Sequence, residues 1–254
     1  MTGVESEAME AEFGTVAAWT EQAVRVLGPE YAIPAGCRGS GSEGALRWLT
    51  DGLDLRPGGR VLDAGAGVGG PAGGLAAERG VRPVCAEPMA DAVAVSRRLF
   101  GLPAVVATAQ QLPFPGASFD AAWCLGVLCT ISDKAAVLAE LRRVLADGGR
   151  LGLLVFAATG PLTPPLPEGN SFPPLDELPA LVEGAGFALT ATAEADLHDS
   201  PPQWDERADA VDEEVARRHG DAPELRQARE LAGRVARLLA DGELVPWLGV
   251  AVIR

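Results

Sequence analysis

Gly65, Gly67 and Gly70, in the stretch "RVLDAGAGVGGPAGG" from Arg60 to Gly74, spell G-x-G-x-x-G between a short apolar run and a helix start. Glycines at this spacing remove side chains where a backbone must approach a ligand, and an acidic residue about 20 positions on, here Glu87, can accept hydrogen bonds from ribose hydroxyls. The chemistry implied is the binding of a nucleotide cofactor, and at face value that cofactor is NAD. No metal site accompanies it. Cys37, Cys85, Cys124 and Cys129 form no C-x-x-C pair and His198 and His219 lie far from them in sequence, so the thiols read as reduced packing residues.

These residues need a scaffold, and the chain supplies one by alternation. "RVLDAG", "PVCAE", "PAVVATA", "FDAAWCL" and "RLGLLVFA" are short apolar strands. Between them lie a helix from Pro71 to about Gly80, "MADAVAVSRRLF" and "DKAAVLAELRRVL", with Gly148 as the stop of the last helix. Strand–helix alternation of this kind predicts a doubly wound, mostly parallel sheet with its ligand at the carboxyl ends of the strands. Upstream, residues 13–27 place Phe13, Val16, Thr20, Ala23 and Leu27 at helical spacing, a Gly/Ser-rich connector covers 33–44, and "SEGALRWLTDGL" is a second helix. Downstream, the proline-rich 157–174 segment reads as a lid-like loop. A helix, the strand "FALTATAEA", two amphipathic helices (about 203–218 and 223–240) and the strand "VPWLGVAVI" follow. The expected division is a lid at 1–41, a cofactor-binding core at 42–199, a helical insertion at 200–242 and the last core strand at 243–254.

Composition narrows the function. The 254 residues, 48% hydrophobic, suffice for one substantial core with insertions. With 35 acidic against 21 basic residues and a net charge of −14, the chain is a poor match for a phosphate backbone or an anionic membrane. It shows no basic, apolar leader and no apolar run near the ~18 residues of a membrane span, so a cytoplasmic location is expected. A dinucleotide enzyme would need a second nucleotide half and a catalytic domain, for which the residues after "RLGLLVFA" leave no room. A short-chain reductase would need a Tyr-x-x-x-Lys pair after the glycines, yet the only tyrosine, Tyr31, precedes them.

The ordered series "VLDAGAGVGG", "VCAEPM", "VVATAQQLPF", "FDAAWCLGVLCTI" and "LRRVLADGGRLGLLVF" resembles class I S-adenosylmethionine-dependent methyltransferases of the small-molecule and quinone group, over roughly residues 42–195. The resemblance implies a Rossmann-like, seven-stranded methyltransferase fold with a helical cap at its start and a helical insertion before the last strand. It also implies S-adenosylmethionine as cofactor. Gly65, Gly67 and Gly69 would pass along its methionine half, and Asp63 would help hold the cationic amino end. Glu87 would take both ribose hydroxyls and Met89 would wall the adenine. Ala109 and Gln110 would border the adenine edge, with Leu125 closing the site. Two positions depart from the family pattern: Thr108 replaces a common aspartate, and Cys129-Thr130 replaces a common Glu-His pair. The second departure removes the obvious general base and leaves His219, His198, Tyr31 and Asp133 as the groups able to take a proton.

The amino-terminal segment, the 157–174 loop and the inserted helices would then cap an apolar pocket, with Trp19 and Tyr31 lining it. The expected activity is methyl transfer to a small organic molecule, with a secondary metabolite as the expected class. The alternatives are a methyltransferase fold that binds the cofactor without transfer, as a cyclase-like or scaffolding protein, and an NAD oxidoreductase.

Overall fold

The computed structural model describes residues 14–254; Phe13 lies outside them. Seven strands form one sheet in the order β3-β2-β1-β4-β5-β7-β6. They are β1 (Arg60–Ala64), β2 (Arg82–Glu87), β3 (Ala104–Val106), β4 (Phe119–Leu125), β5 (Leu145–Ala158), β6 (Phe187–Glu194) and β7 (Leu244–Ile253). Strands β1 to β5 pair in parallel, and β7 runs antiparallel between β5 and β6. The chain order reverses at β1 and β4, the switch point where ligands of open α/β sheets sit.

The helices are α1 (Val16–Leu27), α2 (Ala32–Gly36), α3 (Glu43–Gly52), α4 (Gly70–Arg79), α5 (Ala90–Phe100), α6 (Lys134–Val144), α7 (Leu178–Gly184), α8 (Pro202–His219) and α9 (Pro223–Ala240). Their starts and stops have local causes. Ser42 caps α3 by accepting from the Ala45 N–H, and Asp133 caps α6 by accepting from the Ala136 N–H. Gly80 and Gly101 end α4 and α5 in the left-handed conformation. Both faces of the sheet are covered by apolar packing. Leu62, Ala122, Leu138, Leu141, Leu151 and Leu153 belong to one cluster, and Val61, Trp123, Leu46, Leu49, Leu154 and Val250 to the other.

Three expected boundaries shift. The connector expected over 33–44 holds helix α2 at its start and shrinks to residues 37–42. Helix α6 stops at Val144 rather than near Gly148, because the backbone turns extended at Leu145, which pairs with Phe119; a bulge carrying Gly148 at φ +72° then precedes the Arg150 pairing. Strand β3 contains only Ala104–Val106 of the expected "PAVVATA". It is the sheet edge, and Val106 is 58% exposed, so the far end of the apolar run reports propensity without burial.

The amino-terminal segment packs into the molecule. Val16, Ala23 and Val24 of α1 share a cluster with Val211 and Val215 of α8, while Ala17 meets Ala92 and Val95 of α5. Glu21, nearly buried, receives two hydrogen bonds from Arg98 of α5 at 2.6 and 2.7 Å. The 159–174 loop is tied at both ends. Arg237 and Arg234 of α9 donate to its carbonyls at Thr163, Pro165 and Leu166, and Ser171 N–H donates to the Cys129 carbonyl.

Candidate cofactor site

The turn from β1 into α4 is built by glycine stereochemistry. Gly65, Gly67 and Gly69 have φ of +81°, +53° and +86°, a region costly for residues with a Cβ. Their surroundings differ. A Cβ on Gly65 would collide with Val127 and one on Gly69 would crowd Ser96, whereas one on Gly67 would meet nothing within 4 Å. Gly65 and Gly69 therefore serve close packing, and Gly67 borders open space. The turn is held to β2 through Gly65 N–H to the Ala86 carbonyl at 2.8 Å.

Glu87 ends β2 almost fully buried, 5% exposed. Its Oε2 accepts from Gly67 N–H at 2.9 Å and its Oε1 from Met89 N–H at 3.0 Å. Burial raises its pKa, opposed by those two N–H groups. Each oxygen takes one backbone donor and retains a second lone-pair direction, so the carboxylate can pin the glycine turn and still receive two hydroxyls. Sequence reasoning anticipated only the second of these tasks.

Asp63 is 2% exposed, and its Oδ2 has no hydrogen-bond partner. Burial lifts its pKa to about 7. The indole N–H of Trp123, the register partner on β4, pulls the pKa back without forming a well-aligned hydrogen bond, and the Glu87 charge pushes it up further. A buried carboxylate oxygen without a donor is a costly feature that a cationic ligand group would relieve. Burial first and the Asp63 charge second also push the thiols of Cys37, Cys85 and Cys124 above their ordinary range.

The remaining expected site residues divide. Met89 is half-buried with Val68, Ala17 and Leu99, which sets it beside the glycine turn and beneath α1. Ala109 is buried and Gln110 exposed, just beyond β3. Leu125 ends β4 and packs with Cys37 and Leu154 on the face opposite the Ala109 cluster. Trp19 and Tyr31 are brought together in the cluster between α1 and α8 rather than beside Glu87 or Asp63. Trp19 stacks on His219 with ring centroids 4.2 Å apart and planes 5° from parallel.

Sequence reasoning missed how closely the chain start approaches the glycine turn. A Cβ on Gly36 would lie 2.8 Å from the Gly70 Cα, so α2 rests backbone-to-backbone on the start of α4. Paired glycines 34 positions apart carry no periodic signal that could have announced it.

Open space at Gly67, a doubly anchored acidic strand end and a buried unpartnered carboxylate oxygen at the switch point fit a ligand with ribose hydroxyls and a cationic end, as S-adenosylmethionine has. Comparisons with known proteins agree. A methyltransferase domain model matches residues 62–153. Methyltransferase GfsG of Streptomyces halstedii is 34% identical over 158 residues, 56% of this chain and 57% of that one. The ubiquinone/menaquinone biosynthesis C-methyltransferase UbiE of Stenotrophomonas maltophilia (strain R551-3) is 31% identical over 172 residues, 64% of this chain and 68% of that one. The chain spans about half the length of the first curated relatives it matches. Among solved structures, the [4+2]-cyclase SpnF superposes with a TM-score of 0.71 at 19% identity, covering 96% of each chain, which shows a shared fold. The chain belongs to the class I S-adenosylmethionine-dependent methyltransferases.

Proposed function

We propose that the protein transfers a methyl group from S-adenosylmethionine to a small organic acceptor. The observation that carries this reading is the juxtaposition of Gly67, Glu87 and the unpartnered Asp63 oxygen at the β1/β4 switch point. Names of relatives support the acceptor class: 27-O-demethylrifamycin SV methyltransferase of Amycolatopsis mediterranei is 35% identical over 115 residues. When bound, the cofactor supplies a methyl group already activated by its sulfonium.

The chain's own tasks are to bind, align and keep out water. Glu87 would hold the ribose, Asp63 the cationic amino end, and Gly65, Gly67 and Gly69 the methionine half. Met89, Ala109, Gln110 and Leu125 would border the adenine and close the site. Of the expected lid at 1–41, residues 1–13 lie outside the described residues; residues 14–41 would cover 42–199, aided by the insertion at 200–242, with 243–254 completing the sheet, and Trp19 and Tyr31 would belong to this cover. The acidic charge argues against nucleic-acid partners, and the reading keeps the expected cytoplasmic setting; among the described residues no helix is long and apolar enough to cross a membrane.

Proton removal is not provided for where the family pattern would place it. Cys129 Sγ donates to the Gly126 carbonyl, and burial pushes its pKa up to about 11, so it stays a thiol. Thr130 Oγ1 donates to the Val127 carbonyl, Asp133 is spent on its helix cap and His198 is exposed. Tyr31 sits in the α1–α8 cluster, and His219 is stacked on Trp19 of the same cluster. With no general base assigned, the reading takes an acceptor that brings its own nucleophile, such as a free amine or an ionised phenol or enol. The same observation supports a second reading, cofactor binding without transfer; the cyclase that superposes on the chain shares its fold and does not separate the two. Incubation with labelled S-adenosylmethionine and a panel of amines, phenols and enols separates them: label in a product carries the first reading, and cofactor binding with no label in any acceptor carries the second.

A further inference from the structure

Asp63 and Glu87 are buried carboxyls at the ends of the neighbouring parallel strands β1 and β2, and no basic side chain among the described residues acts on either. They are not equivalent. Glu87 has a backbone donor for each oxygen, the N–H groups of Gly67 and Met89. Asp63 has none for its Oδ2.

The groups that face Asp63 offer no compensating charge. From β2 they are the thiol of Cys85, its register partner, and the carboxyl of Glu87; from β4 they are the indole of Trp123, its other register partner, and the thiol of Cys124; from the residue just past α2 comes the thiol of Cys37. Burial first, and the Asp63 charge second, keep all three thiols neutral. Glu87 is therefore the one charge beside Asp63, and it has the same sign. Two buried carboxyls that share a site do not ionise together readily, and the one with donors ionises first. The one without donors keeps its proton.

We infer that Asp63 is protonated in the free protein below neutral pH and releases that proton to water when the ammonium group of the cofactor docks against it. The carboxyl O–H bond breaks, the proton passes to water, and the ammonium keeps its own protons, so the pair that remains is carboxylate and ammonium. The inference rests on the cofactor reading and adds a regulation of the same site by pH. Its sign follows from linkage: the free protein binds a proton that the complex lacks, so affinity rises with pH through the free-state pKa of Asp63 and levels off above it. A ligand without the ammonium gains nothing from the exchange.

The test is isothermal titration of the full chain with S-adenosylhomocysteine in phosphate and in imidazole, whose different ionisation enthalpies turn the difference in heat into a proton count. With the free-state pKa at about 7, release should be about 0.9, 0.5 and 0.1 protons at pH 6, 7 and 8, and affinity should be about tenfold higher at pH 8 than at pH 6. Methylthioadenosine, which keeps the adenine, ribose and sulfur and lacks the amino-acid end, should bind without release; this separates Asp63 from Glu87. Asp63→Asn should bind S-adenosylhomocysteine more weakly and without release. In the free protein, the carboxyl-carbon NMR signal that Asp63→Asn removes should titrate near pH 7. Binding of S-adenosylhomocysteine without release, equal release with methylthioadenosine, release that persists in Asp63→Asn, or an Asp63 signal that titrates in the ordinary carboxylate range overturns the inference and leaves the cofactor reading intact. Failure of S-adenosylhomocysteine to bind at all three pH values overturns the cofactor reading, and the inference with it.

Discussion

Replacing Gly67 by alanine separates a folding role of the glycine turn from a binding role. At φ +53° an alanine costs roughly 1–2 kcal/mol of backbone strain. The new methyl meets no atom within 4 Å, so no packing penalty adds to it. Gly101, at φ +66° with nothing near its Cβ position, carries the same strain but sits at the end of α5. Gly101→Ala is therefore the matched control. Each variant should lower the melting temperature by about 2–8 °C, at roughly 2–4 °C per kcal/mol for a chain of this size. Calorimetry with S-adenosylhomocysteine should then part them. Gly101→Ala should bind like the wild type, whereas Gly67→Ala fills space reserved for the ligand and should lose about 1–3 kcal/mol, the usual range for overpacking. Equal affinity of the two variants would refute the assignment of the open space at Gly67 to the cofactor.

Asp63→Asn should stabilise the unliganded protein at neutral pH. The folded pKa of Asp63, about 7, lies above its ordinary 3.8, so its contribution is fully present below pH 4 and is lost as pH rises toward 7; the gap between wild type and variant in urea denaturation should open over that window, to on the order of 3–4 kcal/mol. The same variant should bind S-adenosylhomocysteine more weakly. Glu87→Ala should weaken cofactor binding by about 1.5–3 kcal/mol and, because the carboxylate also holds Gly67 and Met89, should speed hydrogen exchange at those two amides. Glu21→Gln should loosen α1, raising exchange over residues 16–36 at a cost of about 1 kcal/mol, modest because Arg98 is 47% exposed. The paired Glu21 carboxyl is held below its ordinary pKa by Arg98, so that contribution is present above about pH 4.5 and fades as pH falls below it. Unchanged exchange in α1 would mean that apolar packing alone holds the helix.

Local signals made the cofactor half of the fold legible. The glycines that need left-handed backbone, the acidic end of β2 and the apolar stripe of α6 all act over a few residues, and each stands where the sequence puts it. What sequence could not show depends on contacts between distant segments. The backbone contact of Gly36 with Gly70, the stacking of Trp19 on His219, and the Glu21–Arg98 pair each join residues far apart in the chain. Trp19 and Tyr31 were expected to line a pocket capped jointly with the inserted helices, and the residues of α8 they pack against lie almost 200 positions on. Edge strand β3 shows a related limit. Its apolar residues satisfy strand propensity, but with no neighbour beyond it the pairing ends at Val106.

The central claim is that the β1/β4 switch point binds S-adenosylmethionine. Isothermal titration of the full chain with S-adenosylmethionine, S-adenosylhomocysteine and NAD, side by side, tests it most directly. The account predicts saturable binding of both sulfur nucleotides, weakened by Glu87→Ala, and no heat from NAD; binding of NAD with none for the sulfur nucleotides would contradict it.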